Sequence, residues 1–177
     1  DGTGKTKIKT GFESLDHLLT LFAFHGFFDL ELSAKGDLKH HIVEDIGISL
    51  GDAFKKALGS CVDIKRYGFA SVPMDEILAK VSVDIGGRDY FIWHLLGRSH
   101  LIKEKLDLST DELKLFLEAF TKHIKINLHV EHALNIGEID THHLFEAVFK
   151  ALGIALDQAT QIDPRRKGIP STKGVID

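Results

Sequence analysis

The sequence is poor in the residues that mark several protein classes. It has a single cysteine, Cys61, so no intrachain disulfide can form, which fits a reducing compartment. No apolar run approaches the roughly 18 residues of a membrane span. The best candidate, from Leu18 to Phe28, is interrupted by Thr20, His25 and Gly26. The opening residues, Asp1-Gly2-Thr3-Gly4-Lys5-Thr6-Lys7, lack the apolar core of a secretory signal, and a cytoplasmic location is expected. Basic residues are dispersed and the net charge is −4, so neither nucleic acid nor a membrane is an expected partner. No Gly-x-x-x-x-Gly-Lys loop offers a nucleotide site. Tyrosine and tryptophan are scarce as well, at two and one, yet there are eleven histidines. Histidine is the commonest metal ligand among side chains, so their clustering becomes the question.

Apolar periodicity predicts a helix over residues 12–24, with Leu15, Leu18, Leu19 and Phe22 on one face. Gly26 ends it, and 28–32 alternates as a half-buried strand. After the Gly36-Asp37 turn a second helix runs from about His40 to Leu58. Residues 66–96 are strand-like, punctuated by Pro73, Gly86-Gly87 and Gly97. Ser109 and Glu112 have capping-box spacing at the start of a third helix. A strand over 124–130, a loop and a last helix from His142 to Thr160 follow, and the tail after Pro164 is basic and turn-rich.

The chain repeats itself. His40-His41-Ile42-Val43-Glu44 lies 102 residues before His142-His143-Leu144-Phe145-Glu146. The match continues through Leu50-Gly51 against Leu152-Gly153, and Asp29-Leu30-Glu31-Leu32 resembles Asn127-Leu128-His129-Val130. Motif, downstream helix and upstream strand together predict a duplicated α+β unit with helices packed on sheets, split into halves 1–97 and 98–177.

Positions i and i+3 or i+4 share a helix face, so His41 with Glu44, and His143 with Glu146, are expected to converge on one ion each. His40 and His142 are turned by about 100° from their neighbours and are expected to serve a second ion position. Imidazole with carboxylate suits manganese, iron or zinc, and the lack of a cysteine cluster argues against a thiolate zinc site. A single copy of the motif is equally well explained as an amphipathic helix start. Two copies in matching positions favour metal. His17 on the first helix, taken alone, reads better as a core histidine. His25, His94, His100, His123, His129 and His132 carry no spacing argument and are expected to be structural.

Taken in order, Asp16-His17-Leu18-Leu19, His25-Gly26, the two doubled-histidine motifs, Arg66-Tyr67-Gly68, Pro73-Met74-Asp75-Glu76, Gly87-Arg88, Phe149-Lys150 and Pro170-Ser171-Thr172-Lys173-Gly174 resemble the imidazoleglycerol-phosphate dehydratase family over almost the whole chain. The resemblance implies a ribosomal-protein domain-2-like duplicated fold and a carbon–oxygen lyase of histidine biosynthesis. It implies two Mn2+ per subunit, a small phosphorylated substrate and a 24-subunit homo-oligomer built from trimers, with active sites between subunits. Carried over residue by residue, it implies metal ligands His17, His40, His41, Glu44, His142, His143 and Glu146. The implied phosphate contacts are Arg66, Arg88, Lys150, Ser171 and Lys173, and the implied proton carriers are Glu44, Asp75 and Glu146. Asp75 has a plain alternative as a residue that caps a turn.

The sequence departs from the family at three places. The offset of 98 from His17, and the spacing back from His129, both put Leu115 where the family has a further histidine, so that ligand is expected to be lost or replaced by His123 or His129. The opening residues resemble the end of the family's first hairpin, so the preceding strand with its substrate-contacting glutamate is expected to be missing. The loop from Leu134 to Thr141 is long and the one before His40 short. A metal-binding shell homologue without catalysis is therefore the alternative reading, and a manganese-dependent phosphoester hydrolase a weaker one.

Overall fold

A computed structural model of the chain describes residues 2–96, 102–103, 105–134 and 139–176. His100 lies outside these residues, as do the expected boundary between the halves and most of the long loop after Leu134. The element order is β1 (Thr6–Lys9), α1 (Glu13–Gly26), β2 (Leu30–Ser33), α2 (Lys39–Leu58), β3 (Tyr67–Met74), β4 (Ile77–Asp84), β5 (Tyr90–Leu96), β6 (Ile102–Lys103), α3 (Thr110–Ile124), β7 (Asn127–Leu134), β8 (Ile139–Asp140) and α4 (Thr141–Thr160). The expected helices are all present and the fold is α+β. Two strand limits shift: 28–32 becomes β2, and 124–130 becomes β7. α3 keeps its hydrogen bonds through Ile124 and ends at Lys125 in the left-handed conformation, so no strand can begin before that turn. The short strand β1, which sequence periodicity does not mark, pairs parallel with β2.

The four long strands form a sheet in the order β3-β4-β7-β5, with β5 and β7 parallel and the other pairs antiparallel. Along β4, Ile77, Ala79, Val81 and Val83 are buried while Leu78, Lys80 and Ser82 face outward, so helices cover one side only. α4 packs on β3 and β4 and α3 on β5; α1 then packs on α4, and α2 on α3.

Those two helix pairs cross alike. Gly153 lies so close to α1 that a Cβ there would sit 2.4 Å from the Phe22 carbonyl oxygen. Gly51 lies equally close to α3, with its missing Cβ 2.7 Å from the Phe120 carbonyl oxygen. Gly51 and Gly153 are 102 residues apart, and Phe22 and Phe120 are 98 apart, the two offsets found in the sequence. The buried positions Leu15, Leu18, Leu19 and Phe22 recur at Leu113, Phe116, Leu117 and Phe120. Leu115 therefore occupies on α3 the place of His17 on α1.

The four helices begin at the same end of the molecule. The N-terminus of α1 has no cap of its own; the Asp107 carboxylate accepts from the Glu13 and Ser14 amides instead. Lys39, the first residue of α2, donates to the Asp107 carbonyl, and two residues beyond Asp107 the Ser109–Glu112 capping box opens α3. α4 begins against the two-residue turn between β3 and β4, where the Asp140 amide donates to Glu76. At the far end, the Arg66 amide donates to the Ala159 carbonyl in the last turn of α4.

Candidate metal centre and phosphate end

Glu146 is the focus of the first site. It lies one turn into α4 and is 7 % exposed, a burial that a carboxylate tolerates only with partners. Its Oε1 is 2.7 Å from His17 Nε2 and 3.0 Å from His142 Nε2, and its Oε2 accepts from the Lys150 ammonium at 2.7 Å. The two imidazole rings lie nearly parallel, with centroids 5.8 Å apart. Burial would raise the Glu146 pKa, but the hydrogen bonds from Lys150 and His17 outweigh it and hold the group below the ordinary value. His17, His142 and Glu146 offer ligand atoms within 4.8 Å of one another. Ligands about 2.1 Å from an ion stand at most about 4.2 Å apart, so the set closes on a divalent ion with little movement. The nitrogen and oxygen donors suit the borderline-hard metals.

The expected partner of Glu146 was His143. The structure puts His142 there, four residues back on the same face, and turns His143 to the β3–β4 turn. There its Nδ1 meets Glu76 Oε2 at 3.0 Å, and its Nε2 lies 3.6 Å from Asp75 Oδ2. These three residues form a second group of potential ligands. The hydrogen bond to Glu76 raises the His143 pKa against the opposing pull of desolvation. Asp75 sits at the tip of the turn with φ of 46°, a conformation that aspartate tolerates better than most residues.

Two groups beside these residues were given no role in the sequence argument. Glu76 directly follows Asp75, and adjacency to a candidate was its only signal. His25 lies two helical turns after His17 on α1, close enough to Lys150 that burial first and the ammonium second lower its pKa. That spacing of eight residues was the available clue.

The first doubled-histidine motif does not close in the same way. His40, His41 and Glu44 are all exposed at the start of α2. Among the described residues His41 pairs only with Asp37, at 3.3 Å, and the His40 and His41 rings meet edge to face. The helix that faces them presents half-buried Leu115 where α1 presents His17. Neither proposed replacement stands near. His123 pairs with Asp52 at 3.0 Å, eight residues and so about 12 Å along α2 from Glu44. His129 stacks on His94, centroids 5.6 Å apart, on the sheet face away from the helices.

Of the five expected phosphate residues, only Lys150 lies at this end. Arg66 precedes β3 at the other end, where its Nε and Nη2 donate to the two oxygens of Asp84 at 2.6 and 3.1 Å and its Nη1 donates to the Pro170 carbonyl at 2.9 Å. Exposed Arg88 lies in the β4–β5 connection beside it, and Ser171 and exposed Lys173 belong to the tail that Arg66 touches. From His143 to Ala159, α4 spans 16 residues, or about 24 Å. A small substrate cannot reach from one end of a chain to the other.

Among solved structures, the fold resembles imidazoleglycerol-phosphate dehydratase of Pyrococcus furiosus in complex with (S)-C348. The TM-score is 0.82 at 38 % identity, over 97 % of this chain and 90 % of that one. The Staphylococcus aureus enzyme gives 0.80 at 36 % identity, over 92 % and 91 %. These likenesses, with helices packed on sheets and carboxylate–imidazole clusters, define the class as an α+β dehydratase. Curated relatives agree: the imidazoleglycerol-phosphate dehydratases of Syntrophobacter fumaroxidans and Pelobacter propionicus are 47 % and 49 % identical over 99 % of this chain and 88 % and 89 % of theirs. A family model described as imidazoleglycerol-phosphate dehydratase matches residues 10–156. The chain belongs to the imidazoleglycerol-phosphate dehydratase family, and it is a lyase of histidine biosynthesis. Among the described residues no helix is long and apolar enough to cross a membrane.

Proposed function

We propose that the chain dehydrates imidazoleglycerol phosphate to imidazoleacetol phosphate with two Mn2+ per subunit, in active sites that combine opposite ends of two chains. The observation that carries this reading is the division of the site. The carboxylate–imidazole groups lie at the helix starts, and Arg66, Arg88, Ser171 and Lys173 lie about 24 Å away along α4. A second subunit supplies the missing end, and the exposed His40, His41 and Glu44 are completed in the same way. A closed homo-oligomer, 24 subunits built from trimers as in the family resemblance, repeats that contact.

His17, His142 and Glu146 would hold one ion, and His143 would contribute Nε2 to the other while Glu76 keeps its Nδ1. When bound, such an ion would polarise the substrate imidazole and so ease departure of the hydroxyl on the carbon attached to the ring. That hydroxyl leaves with a proton as water, and the proton on the next carbon passes to a carboxylate. The resulting enol tautomerises to the ketone of imidazoleacetol phosphate. Glu44, Asp75 and Glu146 are the carboxylates for these transfers; Asp75 is the exposed one, 3.6 Å from His143 Nε2. Lys150, with His25 beside it, reaches from the metal end toward the phosphate, and Lys173, Ser171 and the arginines hold the phosphate from the other chain. A shell without catalysis would leave this cationic set without a use. A cytoplasmic location suits the single cysteine.

Metal analysis with a dehydratase assay tests the reading. Saturation should give two Mn2+ per subunit, and His143→Ala should lower occupancy and activity together. Full metal content in that variant would remove His143 from the ligand set.

A further inference from the structure

Arg66 is held more tightly than a surface phosphate ligand requires. Asp84 grips it with both oxygens, the Tyr67 ring lies 4.9 Å from its guanidinium carbon, and the Pro170 carbonyl takes a third N–H. The pair is largely buried, with side chains 18 % and 27 % exposed. Space is kept for it: a Cβ on Gly86 would stand 3.1 Å from Asp84 Oδ2 and 3.2 Å from Arg66 Nη2. The backbone is committed too. Arg66 has φ of 75°, in the left-handed region that a residue with a Cβ avoids, and is pinned there by bonds to Ala159 and Ile85. Between Pro170 and Ile176, which packs on the core, the hydrogen bonds of the tail are local among the described residues: the Ser171 amide to Ile169, the Lys173 amide to Ser171 Oγ, and the Gly174 amide to the Ser171 carbonyl.

We propose that Asp84 is a positioning residue for the substrate phosphate: through Arg66 and the Pro170 carbonyl it sets the tail segment that carries Ser171 and Lys173. This rests on the dehydratase reading and adds a residue that touches no substrate. Among the described residues two of the five Arg66 N–H groups have no partner, so one guanidinium can anchor the tail and still meet a phosphate oxygen. Losing the pair frees the tail and leaves the metal end, on the far side of the chain, intact.

The test is Asp84→Asn in the full-length protein. The KM for imidazoleglycerol phosphate is expected to rise about 10-fold, the loss typical of one charge-assisted bond, with kcat within twofold and Mn2+ content unchanged. Amide exchange at Ser171 and Gly174 should accelerate without substrate. On a Lys173→Ala background the same substitution should add almost nothing to KM, because both act through one contact. Additive effects on KM, or unchanged exchange in the tail, would overturn the proposal. If Asp84→Asn does not fold, Gly86→Ala serves, since it crowds the pair without removing either charge. It should give the same split in weaker form, and normal KM and exchange would overturn the proposal equally. Failure of the wild-type enzyme to dehydrate the substrate would instead strike the function, because tail exchange is read without turnover.

Discussion

Glu146 shows how one side chain can hold a site together. Its two oxygens have separate duties: one faces the imidazoles of His17 and His142, the other the Lys150 ammonium. Leu115 marks the difference from the other motif. It sits where α3 should answer His17, and neither His123 nor His129 takes the role. On the proposed reading, an ion held near His40, His41 and Glu44 would have one protein ligand fewer, and water would fill that position. Leu115→His should tighten Mn2+ binding about 10-fold in calorimetric titration, the scale on which supporting groups act at metal sites. Unchanged affinity with a lowered melting temperature would mean that the new imidazole is simply buried without a partner. At this scale the sequence was partly legible. Spacing marked His142 and Glu146 and only the family resemblance marked His17, while i, i+3 arithmetic paired Glu146 with His143 where i, i+4 geometry brings His142 to it. The reason lies outside the helix: Glu76, on a turn 67 residues earlier, captures the His143 ring.

Among the elements, the helices were the readable part. Their apolar stripes and the Ser109–Glu112 box follow local rules, and α3 and α4 form as those rules say. What periodicity could not express was the pairing of α1 with α4 and of α2 with α3, which depends on glycines meeting the backbone of another helix. β7 carries a further consequence. His132 lies on its helix-facing side, 1 % exposed, with both ring nitrogens unpaired among the described residues and Trp93 edge-on at 5.5 Å. Burial, with a smaller push from Lys114, lowers its pKa to about 4 from 6.5. The folded protein refuses a proton that the unfolded chain accepts below pH 6.5. Stability is therefore undiminished above that value and falls progressively as the pH drops toward 4. Between pH 7 and pH 5 the loss from this residue is about 2 kcal/mol. Urea unfolding of wild type and His132→Leu at both pH values, at one protein concentration, measures it. The variant should lose about 2 kcal/mol less; equal losses would mean that His132 finds a proton acceptor in the folded state.

On the scale of the whole molecule, the four helix starts gather the carboxylate–imidazole groups at one end, and the tail, Arg66 and Arg88 make a cationic end opposite. Sequence order conceals this. Lys150 and Arg66 look like members of one phosphate set, and only the direction of α4 along β3 separates them. The central claim, that each active site joins the metal end of one subunit to the phosphate end of another, is open to a direct measurement. His142→Ala impairs the first end and Lys173→Ala the second, and each variant alone should be close to inactive at low substrate. When the two are unfolded together, refolded with Mn2+ and assayed, random assembly leaves about one site in four with both ends intact, so about a quarter of wild-type activity should return. If mixed assemblies form and their activity stays at the level of the separate variants, both ends act within one chain and the account is wrong.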